Sequence, residues 1–141
     1  MILALLLATL ACAPREMRVT FYTLAEGTQT KLTKLGHQPL AFRTAAVGDR
    51  ALLGRWLYVQ DLGGWVHASD TGRPCRADRP GPCLPKDTID IFIGADHMQP
   101  HARRLGVQHW TVGVCETPGA ATRRPDVEPP APVAVAAQRS P

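Results

Sequence analysis

An aspartate stands inside a strand otherwise built of isoleucine, threonine and phenylalanine. The segment TIDIFI (88–93) alternates, with Ile89, Ile91 and Ile93 on one face and Asp90 and Phe92 on the other. Aspartate is a poor strand former and its carboxyl is costly to desolvate, so Asp90 belongs at a cleft or on a face open to water. A second acid, Asp70, follows the segment GWVHAS (64–69) and opens the triplet Asp70-Thr71-Gly72, where its side chain can also cap a turn. Two carboxyls brought together suffice for general acid–base work, one moving a proton while the other holds a charge.

The remaining reactive residue types carry less. Cys75 and Cys83 flank RADRPGP, a loop with no apolar residue beyond alanine, which cannot hold itself by burial. A Cys75–Cys83 disulfide would tie its ends, stabilising by roughly 2–3 kcal/mol. Cys115 is then left over, either buried or bonded to one of these two in place of the other. A metal site needs at least three convergent ligands, and no spacing offers them, so neither metal nor cofactor is expected. Trp56, Trp65 and Trp110 could stack on sugar rings, although core or rim packing explains each. His67, His97, His101 and His109 lack a cysteine or carboxylate partner at a telling spacing and read as surface or strand residues.

These side chains need elements to position them. MRVTFYTL (17–24), FRTAAV (42–47), RWLYVQ (55–60), GWVHAS (64–69), TIDIFI (88–93) and VQHWTVGVC (107–115) read as strands, with a hairpin signal at Asp61-Leu62-Gly63-Gly64. Residues 25–41 read as a long loop. Residues 95–105 place Ala95, Met98, Ala102 and Leu105 on one face of a short helix that Pro100 shortens or kinks. Six short strands and one helix in about a hundred residues suit a small closed barrel in a mainly β protein.

The 141 residues are one domain's worth, and six of the 13 prolines lie at or beyond Pro118, so residues 117–141 are expected to be a disordered Pro/Ala-rich tail. Net charge is +4 with a pI of about 9.2, which favours anionic partners. No Lys/Arg run carries interleaved aromatics, so no nucleic-acid partner is expected. The opening MILALLLATLACA is too short to span a bilayer, and Ala11-Cys12-Ala13 has the small-x-small form of a signal-peptidase site. Residues 1–13 are thus expected to be a signal peptide, with a lipid anchor at Cys12 as the variant, and the protein to be exported to the periplasm, cell envelope or medium.

Taken as a series, VTFYT (19–23), AAVGDRALLGRWLYV (45–59), ASDTG (68–72) and TIDIFIG (88–94) resemble the 3D domain, a family named for three aspartates and found in lytic transglycosylase A and smaller cell-wall proteins. The resemblance covers about residues 17–115, and the expected domain is 17–116. It implies a six-stranded double-psi β-barrel, peptidoglycan glycan strands as partner, and Asp49, Asp70 and Asp90 as the three aspartates, with Asp90 catalytic. Gly48 separates Ala-Val from Asp49, Arg73 stands where the pattern has a second glycine, and the Cys75–Cys83 insertion replaces an Ile-Lys-Gly segment. Lys86, offset by one residue, stands in for that lysine.

The implied reaction cleaves the bond between N-acetylmuramic acid and N-acetylglucosamine without water. Asp90 protonates the leaving oxygen and then, as a carboxylate, takes the proton of the muramic acid 6-hydroxyl, leaving a 1,6-anhydro product. Asp70 is the charge that tunes it, Asp49 a weaker third, and Thr71, Gly72 and Lys86 bind substrate. The alternatives are a barrel that binds cell-wall glycan without cutting it, and an aspartic protease built on Asp70-Thr71-Gly72, in which two such turns share a proton.

Overall fold

A computed structural model of the protein describes residues 12–24 and 32–115. The six strands are β1 (Cys12–Thr23), β2 (Thr44–Val47), β3 (Trp56–Val59), β4 (Gly64–Thr71), β5 (Thr88–Gly94) and β6 (Gln108–Cys115), with one α-helix, α1 (Gln99–Leu105), between the last two. They close into a barrel in the order β1-β5-β2-β4-β3-β6. Pairs β1–β5 and β2–β4 run parallel, and the other four are antiparallel. The expected closed barrel with one short helix is what the chain forms. Residues 1–11, 25–31 and the tail lie outside the described residues, and with them most of the expected leader.

Alternation builds the core. Val19, Phe21, Ala45, Val47, Leu57, Val59, Val66, Ala68, Ile89, Ile91, Ile93 and Val112 all point inward and are buried. The β3–β4 hairpin turns through Gln60–Leu62 and a left-handed Gly63, as its sequence signal required. Pro100 shortens the helix: it sits in the first turn, where a missing N–H leaves nothing unsatisfied.

Two findings differ from the sequence reading, and a third adds burial to a histidine expected in a strand. Strand β1 starts at Cys12 rather than Met17, because it pairs antiparallel with β6 from Cys12↔Cys115 to Val19↔Gln108. The thiols of that first pair form a disulfide alongside the expected Cys75–Cys83 bond, so Cys115 is not left over. His67 is fully buried, its ring edge-on to Trp56 and its Nδ1 within hydrogen-bond distance of the Ser69 hydroxyl. Two disulfides mark an oxidising, exported setting, and among the described residues no helix is long and apolar enough to cross a membrane.

Candidate functional site

The outer face of the sheet carries one row of four residues in register. Thr20 of β1 pairs with Asp90 of β5, Asp90 pairs with Ala46 of β2, and Ala46 pairs with Asp70 of β4. Because Val19, Phe21, Ala45, Val47, Ile89 and Ile91 take the core side, the alternate residues Thr20, Ala46 and Asp90 point away from it.

Asp70 reaches this row through a bulge. Ala45 pairs with Ala68, but Ala46 pairs with Asp70, so Ser69 is the extra residue. In an unbroken ladder Ser69 would face Ala46 and Asp70 would stand opposite the buried Val47. The bulge shifts the register by one and moves the carboxyl to the outer face. The two aspartates then flank Ala46, their backbones about 10 Å apart across two strand spacings. A methyl group is all that stands between them.

Hydrogen bonds hold both acids. Asp90 Oδ1 accepts from the Thr20 hydroxyl at 2.9 Å. Asp70 Oδ1 accepts two backbone N–H groups, from Lys34 at 3.0 Å and from Thr71 at 2.9 Å. Those donors fix the Asp70 carboxyl as an acceptor and orient its other oxygen. Tyr22, two residues beyond Thr20 on the same face, completes the floor, its ring 5.3 Å from that of Phe92. Burial first, and then the negative charges of Asp70 and Asp90, push its phenol well above the usual tyrosine value. Tyr22 therefore stays protonated where it lines the site with the two acids.

A groove of about 330 Å³ opens over this floor, lined by Tyr22, Ala46, Asp70 and Asp90 below and by Thr71, Gly72, Arg73, Pro82, Cys83 and Leu84 along one wall. That volume lies within the range of small-ligand sites. The wall belongs to the disulfide-bearing insertion, and it comes close only because Gly72 has no side chain: a Cβ there would stand 2.3 Å from the Leu84 Cβ. Gly48 serves the other end of the insertion, where a Cβ would meet the Pro85 carbonyl oxygen at 1.8 Å.

Of the expected site residues, Asp70, Asp90, Thr71 and Gly72 meet in the groove, and Asp49 and Lys86 are not among its lining. Asp49 caps the turn Arg50–Leu52 through the Ala51 N–H and pairs with Arg15 at 3.2 Å. Partial burial pushes its carboxyl up. The Ala51 N–H, the Arg15 hydrogen bond and the charges of Lys86 and Arg15 outweigh that and hold it below the usual carboxylate value. The intervening Gly48 accounts for the separation, since it carries Asp49 past the end of β2 into the turn. None of the three tryptophans lines the groove: Trp56 is buried, Trp65 packs on Tyr58 and Trp110 on Phe21. The carboxyl that shares the groove with Asp70 comes from β5 of the same chain, not from a second Asp-Thr-Gly turn.

Sequence reasoning missed Tyr22, Ala46 and Arg73. The first could have been found from the alternation of 17–24, which sets Tyr22 on the face opposite Val19 and Phe21. The other two depend on the bulge and on the insertion's path, which have no local signature. Comparison with protein-family models, with curated proteins and with solved structures finds no match to this chain.

Proposed function

We propose that this barrel is of the double-psi, 3D-domain type and that it cleaves peptidoglycan glycan strands as a lytic transglycosylase. The observation that carries the reading is the pair Asp70 and Asp90, held in register on either side of Ala46 beneath one groove. The closed six-stranded barrel with parallel pairs β1–β5 and β2–β4 supports the fold type. The two disulfides support an exported setting, where such a polymer is met.

In this reading the Asp90 carboxyl gives its proton to the glycosidic oxygen as the bond to C1 breaks. The 6-hydroxyl oxygen of the same muramic acid then closes on C1, and its proton passes to the Asp90 carboxylate. The carboxyl is regenerated and no water is consumed. Asp70, pinned by two backbone N–H groups, is the fixed charge facing the positive character that develops at C1. Thr20 orients Asp90 and Tyr22 donates to the sugar.

The test digests purified sacculi with the wild type and with Asp90→Asn and measures 1,6-anhydro muropeptides by mass spectrometry. Loss of the acid is expected to lower product formation by about 10²–10⁴-fold. No anhydro product from the wild type, with sacculus binding retained, assigns the protein to the glycan binders. Equal product from both proteins removes Asp90 from the chemistry.

A further inference from the structure

The insertion that walls the groove departs from its surroundings in charge. Between Arg73 and Leu84 lie three arginines against the one acid Asp78, and every residue from Arg73 to Cys83 is exposed. Such a segment has no burial to shape it. Its form comes from the Cys75–Cys83 disulfide, the Leu84 N–H bonded to the Arg73 carbonyl at 2.8 Å, and the bridges Pro74–Leu84 and Arg76–Arg79. Arg73 lies across the loop with Nη2 donating to the Pro80 carbonyl at 3.4 Å. A Cβ on Gly81 would stand 2.8 Å from its Nη1. Gly81 is also at φ +129°, where side chains are strained, so the position suits glycine twice over. Arg73, with no carboxylate partner among the described residues, thus lines a groove whose floor holds two carboxyls.

We infer that Arg73, held in place by the stapled loop, makes the groove selective for glycans that bear carboxylate substituents. The inference rests on the glycan reading above and names the feature of the substrate that is read. A carboxylated sugar polymer entering over Asp70 and Asp90 meets like charge. The guanidinium at the wall answers it with a planar pair of N–H donors that matches a carboxylate. The disulfide fixes that fork before the ligand arrives, so little ordering is left for the binding step.

Calorimetric titration of the intact, oxidised protein tests this with three ligands: neutral chitohexaose, glycan strands stripped of stem peptide so that the lactyl carboxylate is free, and strands that keep their peptide carboxylates. The wild type is expected to bind a carboxylated strand at least about tenfold more tightly than chitohexaose at about 0.05 M salt, the gap narrowing towards about 0.5 M. Arg73→Gln, and separately the Cys75→Ser/Cys83→Ser pair, are each expected to shrink the gap about fivefold or more, with folding checked by thermal melting. Preference for the stripped or the peptide-bearing strand assigns the carboxylate that is read. Equal affinity for all three ligands, or a gap that Arg73→Gln leaves intact, overturns the inference while the glycan reading stands. Binding of none of the three overturns both.

Discussion

At the scale of single residues, the hydroxyl of Thr20 matters because it reaches Asp90 Oδ1 from the neighbouring strand. Removing a donor from a part-buried carboxyl costs about 1–2 kcal/mol, or roughly five- to thirtyfold in rate. Thr20→Val should therefore lower kcat/KM for anhydro-product formation by that factor, and Thr20→Ser should restore most of it. Asp49 offers a contrast in pH. Its carboxyl titrates below its ordinary value, so its contribution to stability is complete above that value and is lost as pH falls through the lower folded one. Asn at position 49 can still cap Ala51 but cannot pair with Arg15. The melting temperatures of wild type and Asp49→Asn should differ slightly at neutral pH, in keeping with one exposed ion pair, and begin to converge only as pH falls below about 4.

At the scale of elements, the site depends on β2, a strand of four residues placed between the two acid-bearing strands. Ala46 is its one outward position at the groove, and the open space above it exists because the side chain ends at Cβ. Ala46→Leu should fill that space and reduce glycan cleavage by about tenfold or more. Urea unfolding should change by no more than about 1–3 kcal/mol, since Ala46 is itself buried. Strand content was readable because Ile89, Ile91 and Ile93, or Val19 and Phe21, repeat at the period of a pleated sheet. Asp90 was readable as the residue that breaks this chemistry. The bulge at Ser69 was not: nothing in Ala-Ser-Asp distinguishes a regular ladder from one with an extra residue, and the pairing with β2 decides it. The burial of His67 under Trp56 escaped for a similar reason, since that contact joins residues on different strands. Asp49 was misplaced because resemblance supplies an order of residues but not the one-residue offset that Gly48 introduces.

For the whole molecule, the two disulfides act on different lengths of chain. Cys75–Cys83 spans 8 positions and Cys12–Cys115 spans 103. Closing a loop restricts the unfolded chain by an amount that grows with the logarithm of its length, giving about 2.5 kcal/mol for the short loop and about 4.7 for the long one. Replacing each pair by serine should lower unfolding free energy in urea in that order, with the larger loss at the barrel seam. The charge of the molecule is arranged to a similar end, with arginines on the exposed insertion and acids recessed in the groove beneath it. The bond at the seam also has a mechanical meaning. Its two Cα atoms lie 3.9 Å apart, so chain running out before Cys12 and after Cys115 departs from one spot. Tension applied between those two ends passes through the sulfurs and leaves the hydrogen bonds of the barrel unloaded. A protein tethered at either end, or pulled at both, would keep its groove in shape under forces that would unzip an unstapled β1 from β6.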